Sequence, residues 1–363
     1  MSSTVAEQAL RYGIIGTGMM GVEHIANVNA LPGANVTAIA DPHEPSLEAG
    51  QQAADNRVVE FVDYQEMLAG ELCDVFVIAT PNHTHAAVID DVMTTGKPIL
   101  IEKPMCTTVE ECRKLVAASA DYPSPIWVGL EYRYMAPIER LVEEVAAGTV
   151  GDVKMIAIRE HRFPFLPKVG DWNRFSANTG GTMVEKCCHF FDLMNVLAGS
   201  RPTRVFASGA QDVNHLDEFY EGRRSDILDN ALVIIDYDSG VRASLDLCMF
   251  ADASQNQEEV SVVGDQGKVE AHVPDDVLRI GLRSRDHLGS VETINVESPA
   301  PFAGLHHGSS YVEHQHFLDV IINGGSPEVD VVDGLWSVAI GEAAQLSIAE
   351  GRAVDLTEVL NED

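Results

Sequence analysis

The stretch RYGIIGTGMMGVEHIANVNAL, residues 11–31, constrains the fold more than any other part of the chain. Its apolar run ends in Gly16-Thr17-Gly18-Met19-Met20-Gly21, a GxGxxG placed directly after a predicted strand and directly before a predicted helix. In that context each glycine has a task. Gly16 makes the tight turn, Gly18 lets the backbone approach a pyrophosphate, and Gly21 lets the helix pack close to the strand. The helix N-terminus then offers N–H donors and the positive end of its dipole to an anion. Asp41 ends the next apolar run, NVTAIAD, about 20 residues further on. A carboxylate there accepts hydrogen bonds from ribose hydroxyls and repels a 2′-phosphate. No arginine follows before Arg57, so the cofactor expected is NAD, with NADP disfavoured.

The runs VVEFV, DVFVIAT, PILIEKP and IWVGLEYRY continue the series, separated by helical patterns at 64–70, 83–95 and 107–120. Continuous apolar runs, as opposed to alternating ones, are the mark of strands buried on both faces. Their alternation with helices predicts an α/β fold, a doubly wound parallel sheet of the Rossmann type, over residues 1–130. From residue 131 to 363 the pattern changes. The segment VRASLDLCM alternates Val241, Ala243, Leu245 and Leu247 with Arg242, Ser244 and Asp246, a period of two. Turns at YDSG and GDQG join neighbouring runs as hairpins. The second domain is therefore expected to be α+β, a large, mainly antiparallel open sheet with helices on one face. Its other face is a candidate for homo-oligomer formation, as a dimer or tetramer.

Charge narrows the partners. With 56 acidic and 24 basic residues the formal net charge is −32, which argues against nucleic acid and against an anionic membrane surface. No apolar run reaches the roughly 18 residues of a membrane span. The N-terminal MSSTVAEQALR has no basic-then-apolar pattern, so no secretion signal is expected. Six cysteines without regular spacing fit reduced thiols. These features together predict a cytoplasmic protein with a small-molecule substrate.

Two strand ends carry chemistry. One runs into Thr80-Pro81-Asn82-His83-Thr84-His85, the other ends in Glu102-Lys103-Pro104. Ligands of such sheets bind at the carboxyl ends of the strands. Lys103 is thus expected at the mouth of the cofactor crevice, where a cation can stabilise a developing alkoxide. The His83/His85 spacing lacks the further ligands of a zinc site, so packing around the nicotinamide or its ribose is the reading for these residues. Downstream, GGTMVEKCCHFFDLM, residues 180–194, would place Glu185, His189 and Asp192 on one stripe of a helix. Consecutive cysteines on a helix point about 100° apart and do not share an ion, so no metal is expected. The HHGSSYVEHQH tract (His306, His307, His314, His316) is likewise read as a loop leading into a helix, with one histidine reaching the substrate.

The GxGxxG, the TPNHTH segment, the EKP motif, EYRY (131–134), the IERLVEEVAAGTVGDV segment, GGxxxExxxHxxD and the HxxF at 314 together resemble the Gfo/Idh/MocA family of oxidoreductases over nearly the whole chain. The resemblance implies that Lys103, Glu185 and His189 form the catalytic constellation, with Asp192 at a matching position. Glu185 stands where the family commonly has Asp, and Cys187 where it commonly has Gly. Met19, Met20, Thr80, Pro81, Asn82, His85, Glu102 and Lys103 join Gly16, Gly18, Gly21 and Asp41 as expected cofactor contacts. Arg133, Trp172 and Arg174 join Glu185, His189 and Asp192 as candidate substrate contacts. The implied reaction passes a hydride between a secondary hydroxyl of a sugar, sugar derivative or inositol and the nicotinamide. His189 would take the hydroxyl proton and Lys103 would stabilise the alkoxide. Glu185 would orient His189 or hold a neighbouring hydroxyl. The alternatives are a non-catalytic regulator that binds NAD and a sugar, and a sugar-ketone reductase or sugar–sugar oxidoreductase with tightly held cofactor.

Overall fold

Six apolar runs of the first part pair as one parallel sheet. They are β1 (Leu10–Ile15), β2 (Ala34–Ala40), β3 (Val59–Phe61), β4 (Val75–Ile78), β5 (Ile99–Glu102) and β6 (Ile126–Gly129), in the order β3-β2-β1-β4-β5-β6. The computed structural model describes residues 9–284 and 289–361; residues 1–8, which carry most of the stretch read for a secretion signal, lie outside them. Every residue of β4, β5 and β6 is buried, as their apolar runs, broken only by Glu102 at the end of β5, require in a sheet covered by helices on both faces. The chain crosses from β3 over β1 to β4, so the order reverses between β1 and β4, and a crevice opens there beyond the carboxyl ends of the strands.

Among the described residues the second sheet has nine strands and is mixed but mainly antiparallel. It contains β7 (Val153–His161), β8 (Pro202–Ala210), β11 (Asn230–Tyr237), β12 (Arg242–Cys248), β13 (Glu258–Gly264), β14 (Gly267–Val273), β15 (Val277–Leu282), β16 (Val291–Asn295) and β17 (Val354–Asp355). A separate two-stranded ribbon, β9 (Phe219–Tyr220) with β10 (Arg223–Arg224), lies outside it. Among the described residues its one parallel pair is β12 with β7. The hairpins expected at YDSG and GDQG are β11–β12 and β13–β14. In β11 burial alternates along the strand, so Ala231, Val233 and Ile235 join the core while Leu232 and Ile234 stay exposed.

Helix Val331–Glu350 binds the two sheets together. It packs on β8, on helix Cys188–Ala198 and on helix Val109–Ser119 of the first sheet. Asp330 caps it, accepting from Val332 and Asp333 N–H while Asp333 reaches back to the Asp330 N–H, a reciprocal capping box. Helix Ser309–Asn323 likewise lies against helix Met19–Ala30, which follows the Gly-rich turn.

One expectation is corrected here. Residues 180–194 are not one continuous helix. Thr182–Glu185 forms a short helical turn, Lys186 and Cys187 interrupt it, and Cys188–Ala198 forms the second helix. Glu185 and His189 therefore lie on either side of a bend, and Asp192 pairs with Arg133.

Candidate active site

Gly16 sits at φ +89, and a Cβ on it would lie 2.6 Å from the Ala79 carbonyl oxygen. Gly21 packs against the turn so closely that a Cβ would lie 2.0 Å from the Gly16 carbonyl oxygen. At Gly18 a Cβ would meet nothing within 4 Å, and Gly18 borders an open cavity of about 320 Å³. That free approach beside a helix N-terminus is the space a pyrophosphate requires. Asp41 lines the same cavity, its carboxylate oriented by the Thr17 and His43 N–H groups, each at 2.8 Å. Met19, Met20, Thr80, Pro81, Asn82, Glu102, Lys103, Trp172 and Glu185 complete the expected residues along this wall. The residues present fit a dinucleotide.

Two expected contacts are placed elsewhere. Gly21 lies beneath the turn, and His85 is fully buried behind the wall. His85 joins the two strand-end loops, with Nδ1 at 2.9 Å from the Pro104 carbonyl and Nε2 at 3.0 Å from the Thr80 carbonyl. It holds the crevice in shape without lining it.

Lys103 follows β5 directly, so the strand delivers its ammonium to the crevice. Nζ donates to the main-chain carbonyl of Glu185 at 3.3 Å. Glu102 beside it points the other way, to His24 Nε2 at 2.8 Å. Burial pushes the Glu102 carboxyl up, but the His24 contact and the Lys103 charge together hold the group down at about 2. For Lys103 burial works against the charge, while Cys188, Glu102, Glu131 and Glu185 favour it, and the ammonium is held above its ordinary range.

A second cavity, of about 210 Å³, meets the first where Met19, Met20, Lys103, Lys168 and Glu185 line both. Its size lies below the roughly 300–1,000 Å³ of drug-sized pockets, which suits a ligand of few atoms. His189 lines it, 1% exposed. The imidazole is stacked on Tyr132, ring centroids 3.9 Å apart and planes 9° from parallel. Tyr132 is held in turn by Lys186, whose Nζ donates to the phenol oxygen at 2.7 Å and pairs with Glu160 at 2.9 Å. Burial first, then the positive charges of Lys103 and Lys186, press His189 well below its usual range, so it stays neutral. Burial pushes Glu185 up to about 7 against the pull of Lys103 and Lys168. A charged lysine and a neutral histidine on one small cavity form an acid–base pair suited to moving a hydroxyl proton.

Arg133, Arg174 and Asp192 do not line this cavity. Arg133 clamps Asp192 through Nε at 2.6 Å and Nη2 at 2.5 Å, and also reaches Asp333 at 3.1 Å. The pair ties the segment after β6 to helix Cys188–Ala198 and to the start of helix Val331–Glu350. Arg174 is buried and bonds Glu218 and the Phe165 carbonyl, which shapes the long loop at 163–179. Trp172 reaches the cofactor cavity edge-on to His83. Cys188 is buried and donates to the Glu185 carbonyl at 3.6 Å.

Lys168, Arg162, Lys186, Tyr132 and Glu258 also line the second cavity, and none was singled out from the sequence. A signal existed for two of them. Arg162 lies just past the carboxyl end of β7, as Lys103 does for β5, and Lys186 is a charge inside an apolar run. Of the histidine tract, His306 and His307 line the cavity. His314 is buried against His24 at 2.8 Å, and His316 pairs with Glu328. Among the described residues no group of three or more His, Cys, Asp or Glu side chains is arranged to hold a metal ion.

A parallel sheet with a glycine cradle at its switch point, opening onto a cavity with a charged lysine and a neutral histidine, defines a dinucleotide-dependent oxidoreductase. The chain belongs to the Gfo/Idh/MocA oxidoreductase family. The profile of the family's NAD-binding Rossmann fold matches residues 10–130, and that of its C-terminal alpha/beta domain matches residues 142–356. Myo-inositol 2-dehydrogenase of Thermotoga maritima is 25% identical over 354 residues, covering 97% of this chain and 100% of that protein. An uncharacterized oxidoreductase of Bacillus subtilis, YrbE, is 28% identical over 350 residues, covering 95% of this chain and 96% of that one. Among solved structures, levoglucosan dehydrogenase in complex with NADH and levoglucosan superposes with a TM-score of 0.85 at 22% identity, over 96% of this chain and 100% of that one. The last comparison bears on the fold.

Proposed function

We propose that this enzyme oxidises a secondary hydroxyl of a sugar, sugar derivative or inositol, with NAD preferred over NADP. Residues 1–130 hold the cofactor and residues 131–363 the substrate. The observation that carries the reading is the shared cavity of Lys103 and His189, one kept charged and the other neutral, where it opens onto the cofactor crevice. Curated relatives that include inositol 2-dehydrogenases support the substrate class.

Bound NAD⁺ supplies the hydride acceptor, held by Gly18 and the helix N-terminus at the pyrophosphate and by Asp41 at the ribose. The substrate hydroxyl is bound between Lys103 and His189. His189 accepts the hydroxyl proton, and Lys103 offsets the charge that builds on oxygen as the carbonyl forms. Glu185, at the junction of the two cavities, accepts a hydrogen bond from a neighbouring hydroxyl. A purely regulatory binder would have no use for this pairing of protonation states.

The enzyme assembles through the open sheet face, where Met155, Phe206, Leu232 and Ile234 stand exposed, with Phe206 directly opposite Ile234. Six free cysteines support a cytoplasmic setting, and among the described residues no helix is long and apolar enough to cross a membrane. The test is incubation with NAD⁺ or NADP⁺ and a panel of polyols, inositols and glycosides, following absorbance of the reduced cofactor. Turnover with NAD⁺ and at least one polyol is the expected result. Cofactor reduction with NADP⁺ alone, or turnover only in the ketone-reducing direction, would overturn the corresponding part.

A further inference from the structure

The chain has a net charge of −32, yet Lys103, Arg162, Lys168 and Lys186 all line the second cavity. They come from four separate segments, so no local run of charge brings them together. Lys103 and Lys168 also line the cofactor cavity and mark the junction end. Arg162 and Lys186 line only the second cavity and mark its far end. There the carboxyls do not balance the cations. Glu258 of β13 stands directly across from Glu160 of β7. Burial and the Glu160 charge push Glu258 up to about 8, so it keeps its proton at neutral pH. That leaves Glu160 to face two cations, and it lies 2.9 Å from Lys186 but 3.5 Å from Arg162 Nη1. Burial first, then the Arg162 charge, press Lys186 below its usual range. Arg162 Nη2 makes no hydrogen bond among the described residues, and Glu258 Oε2 has no partner either. The Arg162 backbone is fixed, its N–H donating to the Cys248 carbonyl at 2.9 Å and its carbonyl accepting from Ala251 at 3.0 Å.

We propose that the substrate is a sugar acid, a polyhydroxy compound carrying one carboxylate, and that Arg162 binds this carboxylate at the far end of the cavity while the hydroxyl to be oxidised lies between Lys103 and His189. This rests on the function proposed above and narrows its substrate class. The planar guanidinium fork matches a carboxylate and can hold both of its oxygens. Glu258, keeping its proton, offers an O–H to the same group where a second carboxylate would repel it. One anion closes the charge that two cations and one carboxylate leave open. A phosphate monoester would bring about two charges where one is unmatched. The volume of about 210 Å³ suits a single sugar unit. A positively charged cavity also draws in an anion that the acidic outer surface repels. Arg162 is thus a specificity residue, remote from the reacting carbon.

The test offers hexuronic and aldonic acids, each beside its neutral amide, together with inositols and hexose phosphates, as substrates with NAD⁺. Wild type is expected to prefer an acid over its amide at least about tenfold in kcat/KM. Arg162→Met should bring that ratio close to one, with the loss on the acid carried chiefly by KM. Arg162→Lys should hold an intermediate ratio, since an ammonium keeps the charge and loses the fork. Amides or inositols used as well as the acids, a preference for hexose phosphates, or an Arg162→Met enzyme with the wild-type ratio would each overturn the proposal. If Arg162→Met fails to fold, judged by its melt and NAD binding, Arg162→Lys decides, and the wild-type ratio in that variant would overturn the assignment. Calorimetric titration of the enzyme–NADH complex with the same acids and amides separates this proposal from the reading beneath it. If no compound reduced NAD⁺ but an acid bound and Arg162→Lys weakened that binding, the reaction would fall and the carboxylate site would stand. If inositols turned over and no acid bound, the reaction would stand and the carboxylate site would fall.

Discussion

Lys103, at the end of β5, and Glu185, at the end of the helical turn Thr182–Glu185, meet where the lysine ammonium donates to the glutamate's main-chain carbonyl at 3.3 Å. That contact uses the backbone of Glu185 and leaves its carboxyl free at the junction of two cavities. Because Lys103 lines both cavities and stands apart from the Gly-rich turn, it can be removed without touching the glycine cradle. Lys103→Met and His189→Ala should each lower kcat by about 10²–10⁴-fold, while calorimetric titration with NAD shows binding within a fewfold of wild type. Near-normal turnover in both variants would remove these residues from the chemistry.

Asp41 is oriented by the Thr17 and His43 amides, so its charge faces whatever ribose occupies the crevice. Asp41→Ala should lower the NAD-to-NADP ratio of kcat/KM at least tenfold, about 1.4 kcal/mol of discrimination. Steady-state kinetics with both cofactors decide this. An unchanged ratio would mean that cofactor preference is set elsewhere.

Glu185 is pushed up to about 7 by burial. Its folded-state value lies above the unfolded one, so its contribution to stability is complete in acid and is lost as pH rises through about 7. Glu185→Gln does not titrate. The melting temperature of the variant should therefore gain on wild type as pH is raised from 6 to 8, and scanning calorimetry across that window gives the sign. If the carboxylate also accepts a substrate hydroxyl, KM for the polyol should fall over the same range in wild type and stay flat in Glu185→Gln.

Arg133 and Asp192 form a buried ion pair. Removing one partner strands the other charge, so Arg133→Met should cost about 3–5 kcal/mol in urea unfolding. The double variant Arg133→Met/Asp192→Leu should recover much of that loss. Substrate KM of the folded Arg133→Met fraction should stay within about threefold, since losses confined to stability leave ground-state binding intact. A tenfold rise in KM without loss of stability would return Arg133 to the substrate site.

Exposed Leu232 and Ile234 sit two residues apart on β11 and point the same way. The variant Leu232→Lys/Ile234→Lys should sediment as a smaller species than wild type while keeping its melting profile. An unchanged sedimentation coefficient would place any subunit contact elsewhere.

What could be read from the chain alone was whatever depends on near neighbours. The strand–GxGxxG–helix order, the apolar runs of β4, β5 and β6, the alternation in β11 and β12, and the two hairpin turns are all set by contacts within a few residues. Lys103 could be placed because a strand has a direction and its end must lie at the sheet's edge. The helix break at Lys186 and Cys187 was not visible in the same way. Residues 180–194 carry a good helical pattern, and the interruption comes with burial on all sides, with Lys186 drawn to Glu160 of β7 and Tyr132 beyond β6.

The same limit explains why Arg133, Arg174 and Asp192 lie off the cavity. Arg133 and Arg174 are residues of the type that bind sugars, but a carboxylate brought from a distant element satisfies each of them. Asp192 is 59 residues from Arg133, and Glu218 is 44 from Arg174. Conversely Lys168, Arg162, Glu258 and His306 look ordinary along the chain and converge only when β7, β13 and two loops close over one cavity. Local periodicity determined the elements and the cofactor turn. Which charges are paired, which stay neutral and which face the ligand was decided by tertiary packing, because desolvation and partner distance depend on groups that the sequence holds far apart.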